Sequence, residues 1–142
     1  MTRDDVRPGD LFIFYGLLKH GAAGGPQHIP LAEVGEWLAP CMFRGRMYDA
    51  GGFPAAVAGD SLCHGVAYRI HDVRIVAALD EYEDVTGDIA TSLYLRQRVP
   101  MLDATGSPTG AQAWIYIFNQ PTDGLLLIED GNWALERGRK RQ

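Results

Sequence analysis

A cluster of acidic residues at the end of a predicted helix is the part of the sequence best suited to proton-transfer chemistry. Asp72 can cap a helix that runs from Val73 to about Glu83. At 100° per residue, Glu83 falls about 20° from Val76 and about 40° from Leu79, inside the apolar sector of that helix. One acid is therefore predicted to point inward, close to its acidic neighbours Asp80, Glu81 and Asp84.

An inward carboxyl group at this position is expected to hold its proton more tightly than an ordinary glutamate. Desolvation, the negative end of the helix dipole and the neighbouring acids would each raise the pKa of Glu83. A carboxyl group shifted towards neutrality can take up a proton and return it, which is the requirement for a general acid and base. The alternative is a frayed helix end at which the Glu83 side chain reaches water.

The opening strand is predicted to end in a turn that could bind an anion. Strand propensity is high from Phe12 to Tyr15, and Gly16 can adopt backbone angles that are closed to other residues. Such a turn leaves amide N–H groups unpaired, and these groups suit an anionic ligand. The alternative is an ordinary core strand that leads into a loop.

The remaining segments favour strands over helices. A short helix is expected within 30–35, and a long strand over 37–48 is expected to bend at Pro40 and Gly45. Two further strands, 55–58 and 62–70, are predicted with a turn at 59–61. A hairpin is predicted from 92–99 and 111–118, with its turn at 103–106. Five or six strands without regular βαβ alternation predict an α+β domain with a curled or closed sheet.

Length and charge predict one domain that does not bind nucleic acid. The 142 residues, 46% of them hydrophobic, are enough for a single core, which we place in 1–136. The formal net charge is −5, and removing the four positive charges of the segment 137–142 leaves −9 for the body. Such a body would repel a phosphate backbone. The basic segment 137–142 is predicted to be a disordered tail.

Cysteine usage and hydropathy predict a cytoplasmic protein. Cys41 and Cys63 show no CxxC spacing, which favours two buried thiols in a reducing compartment. The first five residues include two acids and no apolar run, and the sequence contains no run of eighteen uncharged apolar residues, so no membrane association is expected. The oligomeric state is left open by the sequence.

Five short segments, in this order, resemble motifs of the gamma-glutamylcyclotransferase-like family. They read YGLL at 15–18, GGFPA at 51–55, LDEYE at 79–83, YLR at 94–96 and AWIY at 113–116. The resemblance spans roughly residues 11–119, which is most of the chain. The resemblance implies a small mixed β-barrel of five to seven strands, flanked by one main helix and one or two short helices. It also implies a pocket at one mouth of the barrel and conversion of γ-glutamyl amines or amino acids to 5-oxoproline and a free amine.

The resemblance further implies roles for individual residues. Glu83 would take a proton from the substrate's α-amino group, which attacks the γ-carbonyl, and would then protonate the departing amine. No metal or other cofactor is needed, because nucleophile and electrophile belong to one molecule. The substrate-binding residues implied are the backbone of Tyr15, Gly16, Leu17 and Leu18 for the α-carboxylate, Gly52, Phe53 and Pro54 as a pocket wall, and Tyr94 as an aromatic lining. Core packing is the alternative role for Tyr94.

Two departures from the family pattern bear on the substrate. Leu17 stands where the family has Ser or Thr, and Asp84 stands where it often has Gly. An added negative charge beside Glu83 would raise its pKa further and repel an anionic substrate. A γ-glutamyl amine is therefore predicted in preference to a γ-glutamyl dipeptide. The rival hypothesis is a barrel without turnover that acts as a small-molecule-binding or interaction module.

Other chemistries fit the sequence less well. Cys63 and His64 are neighbours in a predicted strand, so their side chains point to opposite faces and would not form a thiolate–imidazolium pair. The remaining histidines, His20, His28 and His71, share no metal-ligand spacing. The glycines at 21–25 lack the Gly-Lys-Ser/Thr that a phosphate loop requires. Hydrolysis of the γ-glutamyl amide by water is a third alternative.

Overall fold

The computed structural model describes residues 6–15, 30–51, 53–83, 85 and 89–133. Its strands and helices confirm the expected α+β composition, with one principal helix. In chain order they are β1 (Leu11–Phe14), α1 (Leu31–Val34), β2 (Gly35–Asp49), β3 (Pro54–Ile70), a 3₁₀ turn (Val73–Ile75), α2 (Val76–Tyr82), a second 3₁₀ turn (Ile89–Thr91), β4 (Tyr94–Leu102), β5 (Pro108–Phe118) and β6 (Leu126–Leu127).

Five of the strands bond in a ring, which confirms the predicted curled or closed sheet. The strand order is β3-β1-β5-β4-β2-β6, and an additional pairing of β2 with β3 completes the ring. β1 and β5 run parallel, with Phe12 opposite Trp114, whereas the other described pairs are antiparallel. The short β6 pairs with β2 through two residues. The domain is thus a small mixed sheet that closes on itself, as in a barrel.

β2 and β3 form a long hairpin. Its irregularities in β2 lie where the sequence predicted bends, but β3 continues through a predicted turn. The pairing register shifts between Trp37 and Pro40 and again between Gly45 and Arg46. The predicted turn at 59–61 is wrong, because β3 runs without interruption from Pro54 to Ile70. Residues 58–60 instead form a bulge beside the second shift.

A small residue allows that bulge to lie close to β2. A Cβ atom at Gly59 would be 2.8 Å from Cγ of Arg46 and 3.1 Å from the carbonyl carbon of Gly45. Since these distances are too short for a side chain, glycine is the residue that fits here. The residues at 59–61, for which the sequence predicted a turn, therefore belong to an irregular but continuous strand.

Alternate residues of β1 supply two buried clusters on opposite faces of the sheet. Phe12 and Phe14 pack in the first cluster, with Leu79 of α2, while Ile13 and Tyr15 pack in the second. This alternation is the strand periodicity that the sequence showed. Both cysteines are buried thiols in the second cluster, as predicted. α2 packs on the first face, and its Asp80 accepts a hydrogen bond from the Tyr116 hydroxyl of β5.

The last described residues fasten the chain to the middle of β3. Gly131 has a φ of +64°, and its carbonyl oxygen accepts a hydrogen bond of 2.8 Å from the His64 N–H. A Cβ atom at Gly131 would be 2.4 Å from the Leu62 carbonyl oxygen, so the close approach requires glycine. Trp133, two residues later, is completely buried and anchors the end of this segment. The predicted tail at 137–142 lies outside the described residues.

Candidate active site

The carboxyl end of α2 closes in a hydrogen-bonded turn that carries Glu83. The Glu83 N–H donates to the Leu79 carbonyl oxygen at 3.0 Å, and the Val85 N–H donates to that of Asp80 at 2.8 Å. These bonds satisfy carbonyl groups that would otherwise be left open at the helix end. The helix therefore ends in an ordered turn, which argues against a frayed end, and the Glu83 side chain is partly buried.

The beginning of the helix matches the prediction except in its first turn. An Asp72 carboxylate oxygen accepts the Arg74 N–H at 3.0 Å, as a capping residue does, but Val73–Ile75 form a 3₁₀ turn. Leu79 is completely buried, as the helical periodicity predicted, and Glu81 is exposed. This rotation of α2 sets the direction of Glu83.

Burial raises the pKa of Glu83 from 4.5 to about 8, and the negative charge of Asp80 adds to the effect. Two of the causes inferred from the sequence, desolvation and an acidic neighbour, are thus present. Asp84, the other acid expected to contribute, lies outside the described residues. A carboxyl group with this pKa is mostly protonated at neutral pH and exchanges its proton easily with a basic amine.

Asp80 is held by two partners from neighbouring strands. Arg96 of β4 donates from Nε to Oδ1 at 3.0 Å and from Nη2 to Oδ2 at 3.2 Å. The hydroxyl of Tyr116 on β5 donates to the same Oδ1 at 2.6 Å. The side chains of Arg96 and Asp80 are 16% and 22% exposed, so the pair is largely screened from water. Two parallel bonds between guanidinium and carboxylate fix the carboxylate in one orientation.

Tyr15 brings the end of β1 to the same place. Its hydroxyl donates to the Tyr116 carbonyl oxygen at 2.5 Å and accepts the Ala56 N–H at 3.4 Å. Burial is the main cause of the raised pKa of Tyr15 and of Tyr116, and the Glu83 carboxylate raises both further. Glu83 therefore lies within electrostatic reach of the tyrosine that precedes the predicted anion-binding turn.

The other predicted binding residues are described only in part. The Tyr94 hydroxyl donates to the Pro54 carbonyl oxygen, and its ring packs edge-on against Phe118 with centroids 5.5 Å apart. Phe53 packs against the first buried cluster. These contacts are compatible with a wall of a site or with plain core packing, so the binding roles of Phe53, Pro54 and Tyr94 stay predictions. Gly16, Leu17, Leu18 and Gly52 lie outside the described residues.

Reading the sequence did not identify Arg96 and Tyr116, the partners of Asp80, as members of the site. Arg96 follows Tyr94 by two residues on one strand, so period-two alternation places both on the same face. That signal was present, but it does not reveal that the face lies under α2. Trp114 extends the group, because the guanidinium carbons of Arg96 and Arg98 lie 5.2 and 4.5 Å from its ring centroid.

The described residues offer little for two other types of chemistry. Burial raises the pKa of the Cys63 thiol to about 11, which disfavours the reactive thiolate. No three His, Cys, Asp or Glu side chains in the described part of the chain are grouped to hold a metal ion. Within the same residues, no helix combines the length and hydropathy needed to span a bilayer.

A ring-closed mixed sheet, with a glutamate of raised pKa at the end of its main helix, defines a small α+β domain. Residues 12–135 match the family model described as "Gamma-glutamyl cyclotransferase, AIG2-like", and the chain belongs to this family. The resemblance drawn from the five short motifs is thereby confirmed.

A relative in sequence agrees with that assignment, and solved structures share the fold. The Escherichia coli protein named gamma-glutamylcyclotransferase family protein YtfP is 38% identical over 88 residues, which are 62% of this chain and 66% of that protein. Its solution structure has a TM-score of 0.62 at 27% identity, covering 87% of this chain and 96% of that one. A crystal structure of an AIG2-like protein from Mus musculus has a TM-score of 0.67 at 14% identity, covering 90% of each chain.

Proposed function

We propose that the protein is a gamma-glutamyl cyclotransferase that uses Glu83 as general base and then as general acid. The Glu83 carboxylate accepts a proton from the substrate's α-amino group, and the amine nitrogen attacks the γ-carbonyl carbon. The new C–N bond closes a five-membered lactam, and the original γ-amide C–N bond breaks. The Glu83 carboxylic acid returns the proton to the departing amine, so the products are 5-oxoproline and a free amine.

The observation that carries this proposal is the raised pKa of Glu83 next to the end of β1. With a pKa of about 8, roughly one glutamate in ten is ionised at pH 7, so both protonation states are accessible during one turnover. Family membership supports the reaction class. Because the reaction is intramolecular, the protein has only to hold the substrate folded and to move a proton, and no cofactor is required.

We propose a γ-glutamyl amine as the preferred substrate. The chain carries a net charge of −5, and the negative charge of Asp80, three residues before Glu83, acts on that glutamate. A dipeptide substrate would add a second carboxylate to this negative region, whereas an amine would not. Turnover of a γ-glutamyl amine and of a γ-glutamyl dipeptide should be compared at equal concentration. Equal rates, or a faster dipeptide, would contradict the preference.

The test of the reaction is Glu83→Gln with Glu81→Gln as its matched control. The Glu83→Gln substitution keeps the shape of the side chain and removes proton transfer, so 5-oxoproline formation should fall about a thousandfold. Glu81 lies two residues earlier on the same helix and is exposed, so Glu81→Gln should retain the parental rate. Product is measured by mass spectrometry over a panel of γ-glutamyl compounds. An unchanged rate for Glu83→Gln would refute the proposed role.

A second candidate is favoured by Leu17 and Asp84, which replace residues typical of the family. In that case the domain binds a small γ-glutamyl compound without turning it over. Binding measured by calorimetry would then persist or strengthen in Glu83→Gln, and no 5-oxoproline would form with the parent protein. Hydrolysis would instead release free glutamate.

We also propose that the reaction runs in the cytoplasm, in agreement with two unlinked buried cysteines.

A further inference from the structure

Asp80 links the helix that carries Glu83 to two strands of the ring. It accepts two bonds from Arg96 on β4 and one from the Tyr116 hydroxyl on β5, all between 2.6 and 3.2 Å. Both anchors are themselves fixed: Tyr116 is buried, and the Arg96 guanidinium lies over the Trp114 ring. The position of the Asp80 carboxylate is therefore determined by β4 and β5 as well as by its own helix.

We propose that Asp80 is a positioning residue, which Arg96 and Tyr116 hold so that its negative charge faces Glu83 and controls the protonation of that glutamate. The inference rests on the proposed function for its catalytic meaning, but the charge relation itself belongs to the protein without substrate. Asp80 is not proposed to touch the substrate, because its oxygens are occupied by Arg96 and Tyr116.

The groups that face Glu83 come from three elements. Asp80 lies three residues before Glu83 at the end of α2, a spacing that makes the two residues neighbours on the helix surface. Tyr15 follows β1 and Tyr116 belongs to β5. The two phenols have pKa values raised by burial, so they are neutral throughout the working range. Arg96 is the described cation of this group; it pairs with Asp80 and lowers the pKa of Tyr116. Among these groups, Asp80 is the one whose charge penalises the ionised form of Glu83.

The hydrogen bonds of Asp80 do more than stabilise the fold, because they also fix the position of its negative charge. An aspartate held only by its own helix could turn towards water and away from Glu83. The bidentate guanidinium pair and the short phenol bond prevent that rotation, since breaking them would leave polar groups poorly solvated. The field at Glu83 is thus fixed before any substrate arrives, which is the form of preorganisation that acid–base catalysis uses.

The test is a direct titration of the Glu83 side-chain carboxyl by ¹³C NMR on the full chain without substrate. The Glu83 resonance is assigned by its loss in Glu83→Gln. Asp80→Asn removes the charge while keeping the size of the side chain, and the Glu83 midpoint should then fall by about one pH unit. Glu81→Gln removes a charge from the exposed side of the same helix and should leave the midpoint unchanged. Asp80→Ser removes the same charge with a smaller side chain and serves if Asp80→Asn does not fold.

Activity adds an independent readout. In Asp80→Asn the acidic limb of the kcat/KM profile should move to lower pH by the same amount as the NMR midpoint. A purely structural role would lower kcat/KM at every pH and leave the limb in place. An unchanged NMR midpoint in both Asp80 variants overturns the inference, even if the parent protein is active. A shifted midpoint in a protein that forms no 5-oxoproline supports the inference and overturns the proposed function instead.

Discussion

Replacing Glu83 by glutamine should change the stability of the protein in a way that depends on pH. The folded state holds the Glu83 proton up to about pH 8, whereas the unfolded chain releases it near 4.5. Between these values the folded state binds more protons than the unfolded state, so the contribution of Glu83 to stability falls as the pH rises and is fully lost above about 8. Glu83→Gln has no such loss, because its side chain is neutral at every pH.

The size of the effect follows from the same pKa values. At about 1.4 kcal/mol per pH unit, the interval from pH 5 to pH 8 corresponds to about 4 kcal/mol. The side chain is partly exposed, and water screens part of this penalty, so we expect about half of it. Glu83→Gln should therefore be about 2 kcal/mol more favourable, relative to the parent, at pH 9 than at pH 5. In a domain of this size that is a difference of about 6 °C in Tm.

Urea unfolding of both proteins at pH 5 and pH 9 measures this difference, with Glu81→Gln as the control. The Glu81 carboxylate is exposed, so its replacement should have the same effect at the two pH values. If Glu83→Gln also had the same effect at both, the folded protein would hold Glu83 as an ordinary, hydrated carboxylate. The inward orientation of Glu83, and with it the proposed chemistry, would then be wrong.

Three further predictions test other parts of the structure. The kcat/KM for cyclisation should rise between pH 6 and pH 8 and then level off, as an ionising base of pKa about 8 requires; a profile that is flat across this range would exclude Glu83 as the base. Arg96→Gln should lower the free energy of unfolding by about 3 kcal/mol, because Asp80 loses its partner, whereas Arg98→Gln should cost under about 1 kcal/mol; equal losses in urea titrations would contradict this. Gly131→Ala should lower Tm several degrees more than Gly124→Ala, since both have positive φ but only the first meets a backbone oxygen; similar losses in calorimetry would contradict the close contact.

Local sequence patterns predict which helices and strands the fold contains and that the Glu83 side chain points inward. Helical periodicity alone placed Glu83 near Leu79, and Pro40 and Gly45 marked the irregularities of β2 because each disturbs regular pairing. The predicted turn at 59–61 was wrong for a related reason. Glycine, aspartate and serine are typical of turns, but a glycine that packs against a neighbouring strand serves a bulge equally well.

What the sequence did not reveal depends on contacts between distant segments. Arg96 and Tyr116 reach Asp80 from positions 16 and 36 residues away, and no local pattern encodes which strand lies under a helix. The pKa of Glu83 was predicted in direction, because burial and an acidic neighbour follow from helical spacing. Its value of about 8 depends on how deeply the ring and α2 enclose the carboxyl group, which only the tertiary structure determines.

The parallel pairing of β1 with β5 has a consequence for the order in which the molecule folds. The two hairpins connect neighbouring segments, whereas Tyr15 and Tyr116 join residues 101 positions apart. Closing so long a stretch of chain is entropically costly, so the hairpins should form first and β1 should join last. The surroundings of Glu83 would then be among the final parts to assemble. A folding chain would form both hairpins before the environment that raises the pKa of Glu83 is complete.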